Sequence, residues 1–248
     1  MRHAVSPTCA PLSRHCSAMS SRAHVELFFD CVSPYTHISL SLWARYTKAW
    51  PVTLQLRPFF LGGVMQATGN RPPATLPSRG VFLEQDLRRS AALHDVAMLE
   101  TPSNFFSTPL QKSAIRVARL MCAAQLEGVG GAKLLDLAVA ASGCIHAEPA
   151  FRAESELAID DALLTRACSQ VGLEAQTLLE LAQGEAAKQA LRKNTEDAIE
   201  RGAFGSPTAF VSVPGGGEEQ MFFGSDRMEQ LAFHLGLPYE GGAPKARL

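Results

Sequence analysis

The part of the sequence best suited to chemistry is Ser33-Pro34-Tyr35, which stands between a predicted strand and a predicted helix. The run 25–29 is apolar and rich in strand-forming residues, and it ends at Asp30. Ser33 is a favourable N-cap, and Pro34 suits the first helical position because its missing N–H would have no partner there. The helix itself is predicted from apolar residues spaced four apart, at Ile38, Leu42, Tyr46 and Trp50. Unpaired N–H groups and the helix dipole favour negative charge at a helix start, so we expect an anion beside Ser33.

The composition limits the classes of function. The 248 residues are 46% hydrophobic and 19% charged, with a formal net charge of −1 and a sequence pI near 6.7. This balance favours a globular chain with a substantial core and gives no electrostatic reason to expect nucleic acid as a partner. No apolar stretch approaches the length of a membrane-spanning helix, so we expect no membrane insertion. The six cysteines form no C-x-x-C pair, which favours a reducing compartment over a disulfide framework or a zinc site: Cys9, Cys16, Cys31, Cys122, Cys144 and Cys168.

Both ends of the chain carry candidate targeting signals. Residues 1–23 contain arginines and serines but no acidic residue, which suits a mitochondrial presequence. A disordered extension or an upstream start codon would give the same composition. The tail 239–248 ends in Ala246-Arg247-Leu248, which has the small–basic–leucine form of a peroxisomal signal. We therefore expect recognition by a peroxisomal import receptor, with the mitochondrion as the alternative destination.

The periodicity of the remaining chain changes twice. Residues 52–57 alternate like a half-buried strand, so the first strand, helix and second strand predict a right-handed βαβ unit. The loop 69–73 is held extended by two prolines. From about residue 80 to residue 200 the pattern is almost wholly helical, with helices over 158–172 and 175–202 among others. We interpret acidic pairs there as a solvated face and expect no metal site.

After Gly202 the pattern returns to strands. The segment that contains Ser206-Pro207 leads into an apolar strand, and the glycine-rich run 214–218 predicts a hairpin loop before a return strand over 220–223. Gly224-Ser225-Asp226 then opens a last helix, in which Glu229 is placed to form a capping box with Asp226.

Five segments in this order carry a resemblance to a known family: 26–35, 54–58, 69–73, 202–207 and 223–229. Through them the chain resembles the kappa-class glutathione transferases and the related glutathione-dependent isomerases, a branch of the DsbA-like thioredoxin superfamily. The similarity spans about residues 24–236. Two residues depart from the usual pattern: Thr36 stands where serine is common, and Ser206 where an apolar residue is common. The middle helices match only loosely.

The resemblance implies an α/β fold, a thioredoxin-like (DsbA-like) sheet with a large all-helical insertion. Residues 24–80 and 200–238 would form the discontinuous thioredoxin-like domain, and residues 81–199 the helical insertion domain. Residues 1–23 and the tail 239–248 would lie outside both. A homodimer is also implied.

The same resemblance implies glutathione as the cosubstrate. Where a thioredoxin relative would carry C-x-x-C, this chain has Ser33-Pro34-Tyr35-Thr36, so a bound thiol must bring the sulfur. The Ser33 hydroxyl can accept a hydrogen bond from the helix and still donate one to a thiolate. A hydrogen bond to a charged group contributes about 1.5–3 kcal/mol and a helix N-terminus about 0.3–1 kcal/mol. Together they would lower the pKa of the glutathione thiol by about 1–3 units.

The remaining site residues follow from the resemblance, residue by residue. Ser206-Pro207 resembles the cis-proline loop, whose geometry leaves the N–H and C=O of Ser206 to pair with the cysteinyl part of glutathione. Ser225 and Asp226 would hold the γ-glutamyl end, Asp226 through the ammonium group. Asn70 would bind the backbone of the tripeptide, and Arg79 falls where the family has a basic residue near the glycyl carboxylate. Pro34 and Tyr35 complete the predicted glutathione-binding set.

Two further residues beside this segment have ordinary interpretations. Cys31 ends a buried strand, so we interpret it as a small core residue rather than a redox thiol. His37 lies one helical turn past Ser33, and we predict that it is on the solvated side of the helix, where a catalytic base is the less favoured reading.

The sequence therefore favours a glutathione transferase in which Ser33 stabilises a thiolate that attacks a small electrophilic substrate, with peroxidase activity as a possible addition. The first alternative is a glutathione-dependent cis–trans isomerase of aromatic acids, of the 2-hydroxychromene-2-carboxylate type, which would return glutathione unchanged. The alternative of another class is a non-catalytic DsbA-like binding protein. The electrophile is not identified, because the poorly matching helices would form the pocket walls.

Overall fold

The computed structural model describes residues 22–242. Most of the predicted extension 1–23 and the signal Ala246-Arg247-Leu248 lie outside the described residues. Within residues 22–242 no helix combines the length and the hydropathy needed to cross a membrane. Over the same range no group of three or more His, Cys, Asp or Glu side chains is arranged to hold a metal ion.

A four-stranded mixed sheet forms the centre of the fold. Its strands are β1 (Ala23–Phe29), β2 (Val52–Pro58), β5 (Thr208–Ser212) and β6 (Gln220–Phe223), in the order β2-β1-β5-β6. β1 and β2 run parallel, whereas β5 is antiparallel to both β1 and β6. A separate two-stranded ribbon joins β3 (Arg152–Ala153) to β4 (Glu156–Leu157). The predicted βαβ unit and the β5–β6 hairpin are both confirmed.

The helices fall before, within and after the predicted insertion. α1 follows β1 directly, α3 to α8 occupy most of the chain between the sheet halves, and α9 closes the fold. The bounds are α1 Pro34–Ala49, α2 Leu61–Thr68, α3 Pro77–Leu93, α4 Thr108–Leu126, α5 Gly131–His146, α6 Asp161–Gln170, α7 Ala175–Gln183, α8 Glu185–Glu200 and α9 Met228–Leu235. The thioredoxin-like sheet with a large helical insertion is the fold that the sequence predicted.

Helix α1 lies at the centre of the main core. Its predicted apolar stripe is buried, and Trp43 and Tyr46 are among the largest side chains that are fully enclosed. Polar residues of the same helix are buried as well, because α1 packs against both the sheet and α5. Burial on several faces fixes the position of the helix start, and with it the position of Ser33.

The helical region is less continuous than the sequence predicted. The predicted helix 158–172 begins only at Asp161, and the predicted helix 175–202 is two helices that meet at Gly184. The β3–β4 ribbon and a long connection between α3 and α4 also interrupt the expected helical run. The exact bounds of the two domains stay a prediction.

Candidate active site

The turn between β1 and α1 places the Ser33 hydroxyl at the start of the helix. The Ser33 N–H donates to the Asp30 carbonyl at 3.0 Å, which closes the turn. The Thr36 N–H then donates to Ser33 Oγ at 3.3 Å, so Ser33 is the N-cap and Pro34 stands in the first turn as predicted. Ser33 is only 6% exposed. A hydroxyl with few competing waters is thus aligned with the positive end of a sixteen-residue helix.

The loop before β5 meets this helix start. The Ser206–Pro207 peptide bond is cis, as predicted. The Ser206 carbonyl accepts a hydrogen bond from Ser33 Oγ at 3.1 Å. Because a carbonyl oxygen has two lone pairs, Ser206 retains the capacity to accept a second donor. Two residues separated by 173 positions in the sequence are therefore brought into direct contact.

The Ser206 side chain faces the same turn. Asp30 N–H donates to Ser206 Oγ at 3.0 Å, and Thr36 Oγ1 lies 2.8 Å from Ser206 Oγ. All three residues are buried. The sequence singled out Thr36 and Ser206 as departures from the family pattern, and the structure shows that the two hydroxyls contact each other.

The Asp30 carboxylate links the turn before α1 to the start of α2. Its Oδ1 accepts from the Val32 N–H at 3.1 Å, and its Oδ2 accepts from the Leu61 N–H at 3.0 Å at the start of α2. Burial raises the pKa of the Asp30 carboxyl to about 6, and these two backbone bonds oppose that shift. The sequence marked Asp30 only as the end of a strand, so its bracing role was missed.

Tyr35 ties α1 to the helical insertion. Its hydroxyl donates to Asp86 Oδ2 of α3 at 2.6 Å. Burial, followed by the bond and charge of Asp86, raises the pKa of the Tyr35 phenol above its ordinary value. With its hydroxyl committed to Asp86, Tyr35 is suited to contact glutathione through its ring or backbone. Its assignment to the glutathione site stays a prediction.

Asn70 reaches the loop that carries the cis-proline. Its Nδ2 donates to the Phe204 carbonyl at 2.7 Å, two residues before Ser206, and its Oδ1 accepts from the Arg71 N–H at 2.8 Å. Arg79, by contrast, is an exposed residue in the first turn of α3. Within residues 22–242 no hydrogen bond or ion pair is formed by the Arg79 side chain, so only its place in the sequence supports a role in binding.

Ser225 and Asp226 lie beside the same loop. The Gly224 N–H donates to the Pro207 carbonyl at 3.0 Å, which attaches this segment to the cis-proline. Ser225 is buried, whereas the Asp226 carboxylate is largely exposed and pairs with Arg227 at 3.0 Å. The predicted capping box with Glu229 is wrong. A single turn of 3₁₀ helix, Ser225–Arg227, precedes α9, and no side chain caps either piece.

Two aromatic residues that the sequence analysis missed, Phe204 and Phe223, pack at the outer side of the cis-proline loop. The rings of Phe204 and Phe223 lie 4.5 Å apart between centroids, and both side chains are partly exposed. A Cβ added to Gly205 would come within 2.6 Å of the Phe223 ring. Glycine at this position therefore allows the aromatic ring to press against the loop backbone immediately before Ser206.

Comparisons with known proteins decide the family. The family model described as DSBA-like thioredoxin domain matches residues 24–236. Over 235 residues the chain is 32% identical to "Glutathione S-transferase kappa 1" of Homo sapiens, covering 90% of this chain and 95% of that relative. The chain belongs to the kappa class of glutathione S-transferases, within the DsbA-like thioredoxin family.

More distant relatives of this kappa-class chain are isomerases. It is 26% identical over 220 residues to "2-hydroxychromene-2-carboxylate isomerase" of Sphingobium xenophagum, covering 85% of this chain and 97% of the relative. A solved structure of 2-hydroxychromene-2-carboxylate isomerase superposes with a TM-score of 0.69 at 20% identity, covering 86% of this chain and 94% of that one. At that identity the superposition shows the shared fold.

A pair of buried histidines, His37 of α1 and His146 of α5, lies beside the turn that carries Ser33 in this kappa-class chain. His37 Nδ1 lies 3.0 Å from Ser142 Oγ, and its Nε2 lies 2.9 Å from the Ala97 carbonyl. His146 Nε2 lies 3.1 Å from the Cys31 carbonyl, and the two imidazole rings are 5.4 Å apart. The prediction that His37 faces solvent is wrong, since it is only 4% exposed.

Burial lowers the pKa of both histidines, most strongly that of His146, where His37 is the next cause. Both rings are held by groups of the protein and are enclosed, so they support the turn rather than act as bases. Nothing in the sequence indicated that His146 lies beside the Cys31 carbonyl. The only signal was its residue type, a histidine within a predicted helix.

Cys31 is a core residue, as predicted. Its thiol is 2% exposed and donates to the Ala138 carbonyl at 3.7 Å. Burial, together with the nearby Asp30 charge, raises the pKa of the Cys31 thiol well above its ordinary value. A thiol that is enclosed and neutral is a poor nucleophile. The sulfur closest in sequence to Ser33 is therefore unsuited to redox chemistry.

Proposed function

We propose that this protein is a glutathione S-transferase that joins the glutathione thiolate to a small electrophilic molecule. The observation that carries the proposal is the buried Ser33 hydroxyl, which caps α1 and faces the cis-proline loop. Similarity to kappa-class transferases over nine-tenths of the chain supports the same activity. The protein contributes the ionisation and the orientation of the thiol, and glutathione contributes the sulfur.

The Ser33 hydroxyl has one proton to donate, and in the structure it donates that proton to the Ser206 carbonyl. Turning it to a thiolate exchanges a neutral hydrogen bond of about 0.5–1.5 kcal/mol for a charged one of about 1.5–3 kcal/mol. The backbone N–H of the cysteinyl residue would take the place of Ser33 on the Ser206 carbonyl. The exchange is favourable, because the hydrogen bond that is lost is replaced and the new one stabilises charge.

The chemical step is a nucleophilic attack by the thiolate. The thiol proton leaves to solvent, the sulfur forms a bond to the electrophilic carbon, and the leaving group departs with its bonding electron pair. The N-terminus of α1 and the Ser33 hydroxyl lower the pKa of the thiol by about 1–3 units. At neutral pH a shift of one unit raises the ionised fraction of the thiol about tenfold, and a shift of about 2–3 units makes half or more of it thiolate.

The remaining predicted contacts orient the tripeptide along the loop. Ser225 and Asp226 would receive its γ-glutamyl end, since Gly224 attaches them to Pro207. Asn70 would receive its backbone near Phe204, and Arg79 its glycyl carboxylate. Pro34 and Tyr35 would flank the cysteinyl part at the start of α1.

The experiment that tests the function is product analysis by mass spectrometry with glutathione and a halonitroarene. A transferase yields the glutathionyl-arene and releases halide. If glutathione binds, as a thermal shift would show, but no conjugate forms with any of a panel of electrophiles, transferase activity is refuted.

The second candidate is a glutathione-dependent cis–trans isomerase, which the similarity to 2-hydroxychromene-2-carboxylate isomerases favours. It would use the same Ser33-bound thiolate, add it to the substrate and release it again. Incubation with a chromene-type carboxylic acid distinguishes the two, because an isomerase changes the substrate while the glutathione concentration stays constant.

We also propose that the protein is a homodimer and that Ala246-Arg247-Leu248 addresses it to the peroxisome. Light scattering tests the first proposal. Fluorescent fusions that leave one terminus free at a time test the second, with the N-terminal residues 1–23 as the competing mitochondrial signal. Loss of peroxisomal signal on deletion of the three residues is the expected result.

A further inference from the structure

Ser206 joins the cis-proline loop to the turn before α1 at two different points. Its carbonyl accepts from Ser33 Oγ at 3.1 Å, and its side-chain oxygen accepts from the Asp30 N–H at 3.0 Å. The same side-chain oxygen lies 2.8 Å from Thr36 Oγ1. Ser206 therefore contacts Asp30, which follows β1, the N-cap Ser33 and Thr36 in the first turn of α1.

Three hydrogen bonds link Ser33, Ser206 and Thr36 in a ring. Ser33 Oγ bonds to the Ser206 carbonyl, the Ser206 hydroxyl bonds to Thr36 Oγ1, and the Thr36 N–H bonds to Ser33 Oγ. A single hydrogen bond would let the loop pivot about the helix start. The contacts of Ser206 Oγ with the Asp30 N–H and with Thr36 Oγ1 lie on another part of the same residue. They do not involve the Ser33 hydroxyl, so they would still fix the direction of the Ser206 carbonyl after Ser33 turns to the thiolate.

The side chains of Ser206 and Thr36 are buried, so each hydroxyl needs the other as a hydrogen-bond partner. Thr36 is 0% exposed and Ser206 is 7% exposed. Removing the Ser206 hydroxyl would deprive the buried Asp30 N–H of its acceptor and Thr36 Oγ1 of its partner. Buried polar groups without partners are unfavourable, so the loop and helix would shift to pair them again.

We propose that the hydroxyls of Ser206 and Thr36 are a positioning pair that holds the Ser206 carbonyl against Ser33 and thereby sets the pKa of the bound glutathione thiol. The proposal rests on the proposed function, since it concerns the same thiolate. It adds a side-chain role to Ser206, which the sequence analysis assigned to binding through its backbone, and it gives Thr36 a role for the first time.

The pair acts through geometry. The Ser33 hydroxyl can serve a thiolate only if the sulfur lies within hydrogen-bond distance, and the cysteinyl backbone that carries the sulfur is to be seated on the Ser206 carbonyl. A displaced carbonyl therefore displaces the sulfur from Ser33. Charge-assisted hydrogen bonds are short and weaken steeply with misalignment, so a small displacement raises the thiol pKa.

The test compares Ser206→Ala and Thr36→Val with the conservative variant Thr36→Ser. The control is Ser41→Ala, which removes a hydroxyl of α1 that bonds to the His37 carbonyl within its own helix. For each protein the thiol pKa of bound glutathione is titrated by thiolate absorbance, and kcat and KM are measured with a halonitroarene across pH. Melting temperatures are recorded alongside.

We expect Ser206→Ala and Thr36→Val each to raise the bound thiol pKa by about half a unit to one unit, since one unit is a tenfold change in ionisation. Near pH 6.5, kcat would fall by about three- to tenfold and recover at higher pH. Thr36→Ser retains the hydroxyl and should behave like wild type, as should Ser41→Ala. Because both variants remove one shared contact, the double variant should be no worse than the more affected single variant.

The outcomes separate this inference from the proposed function. If wild type shows no lowered thiol pKa, the proposed function fails. Suppose instead that wild type lowers the thiol pKa. If Ser206→Ala and Thr36→Val keep the same lowered pKa and only their melting temperatures fall, the two hydroxyls have a structural role only and the inference is wrong. Fully additive effects in the double variant would also overturn it.

Discussion

Replacing Asp30 with asparagine should change how the stability of the protein depends on pH. The Asp30 carboxyl is 2% exposed, and burial raises its pKa from the ordinary 3.8 to about 6. Between these two pH values the folded protein retains a proton that the unfolded chain has released. The stability contributed by this group is therefore largest at low pH and is lost as the pH rises from about 4 to about 6.

The magnitude follows from the size of the shift. A difference of about 2 pKa units corresponds to about 3 kcal/mol at 1.36 kcal/mol per unit. The carboxylate accepts hydrogen bonds from the backbone N–H groups of Val32 and Leu61, and their lowering effect on the pKa is already included in that shift. Asparagine cannot ionise and offers one side-chain oxygen to these two donors, so Asp30→Asn also has an offset that does not depend on pH.

The assay is urea unfolding of wild type and Asp30→Asn at several pH values between 4 and 7. Other groups titrate over this range, so the informative quantity is the difference between the two free energies of unfolding. We expect this difference to shift by about 2.4 kcal/mol in favour of Asp30→Asn between pH 4 and pH 7, because the unfolded carboxyl, with its ordinary pKa of 3.8, is already partly ionised at pH 4. A difference that stays constant would refute the reasoning, because the carboxyl would then titrate alike in both states.

Three further predictions concern groups around the same turn. Gly205→Ala places a Cβ 2.6 Å from the ring edge of the partly exposed Phe223, which must move aside, and we expect about 1 kcal/mol or less of destabilisation in urea unfolding with weaker glutathione binding in calorimetry. Cys31→Ala should retain conjugating activity, and iodoacetamide at neutral pH should not inactivate wild type, because burial keeps the Cys31 thiol neutral. His37 and His146 have lowered pKa values, so they bind protons on unfolding, and the stability that these two groups contribute should fall as the pH drops below about 6.5, opposite in sign to the Asp30 contribution. Replacing His146 with glutamine should flatten that decline, and an unchanged acid profile would contradict the assignment.

Local signals predicted the parts of the fold that local signals determine. The start of α1 was predictable because Ser33 and Pro34 each satisfy a requirement of a helix start, and the apolar spacing after them is regular. The strand before it, the alternating strand 52–57 and the glycine-rich hairpin loop were predictable for the same reason. The cis bond at Ser206–Pro207 followed from the resemblance, since proline alone does not specify its isomer.

The errors arose where distant parts of the chain decide the environment of a residue. His37 was predicted on the solvated side of the helix, yet α5 and the α3–α4 connection enclose it, and the cis-proline loop encloses its neighbour Thr36. Their partners are up to 170 positions away, so no window of sequence contains the information. The capping box at Asp226 failed for a related reason, because Gly224 bonds to Pro207 and the chain enters α9 through a 3₁₀ turn.

The functional residues show the same division. Ser33 was predicted from its type and position, and the resemblance supplied the other predicted binding residues, among them Asn70, Arg79 and Ser225, whose roles in binding stay predictions. The contribution of Asp30 to the turn could not be predicted, because its carboxylate bonds to backbone N–H groups that only the folded chain brings together.

The central claim is that the Ser33 hydroxyl holds the glutathione sulfur as a thiolate. Its most direct test is the titration of the thiolate absorbance of bound glutathione in wild type, Ser33→Ala and Ser107→Ala. Ser107 caps α4 through the Leu110 N–H, so its variant controls for the loss of a helix cap remote from the turn before α1. We expect the thiol pKa to lie about 1–3 units below that of free glutathione in wild type and Ser107→Ala, and to return by about 1–2 units toward the free value in Ser33→Ala. The same thiol pKa in wild type and Ser33→Ala would contradict the account.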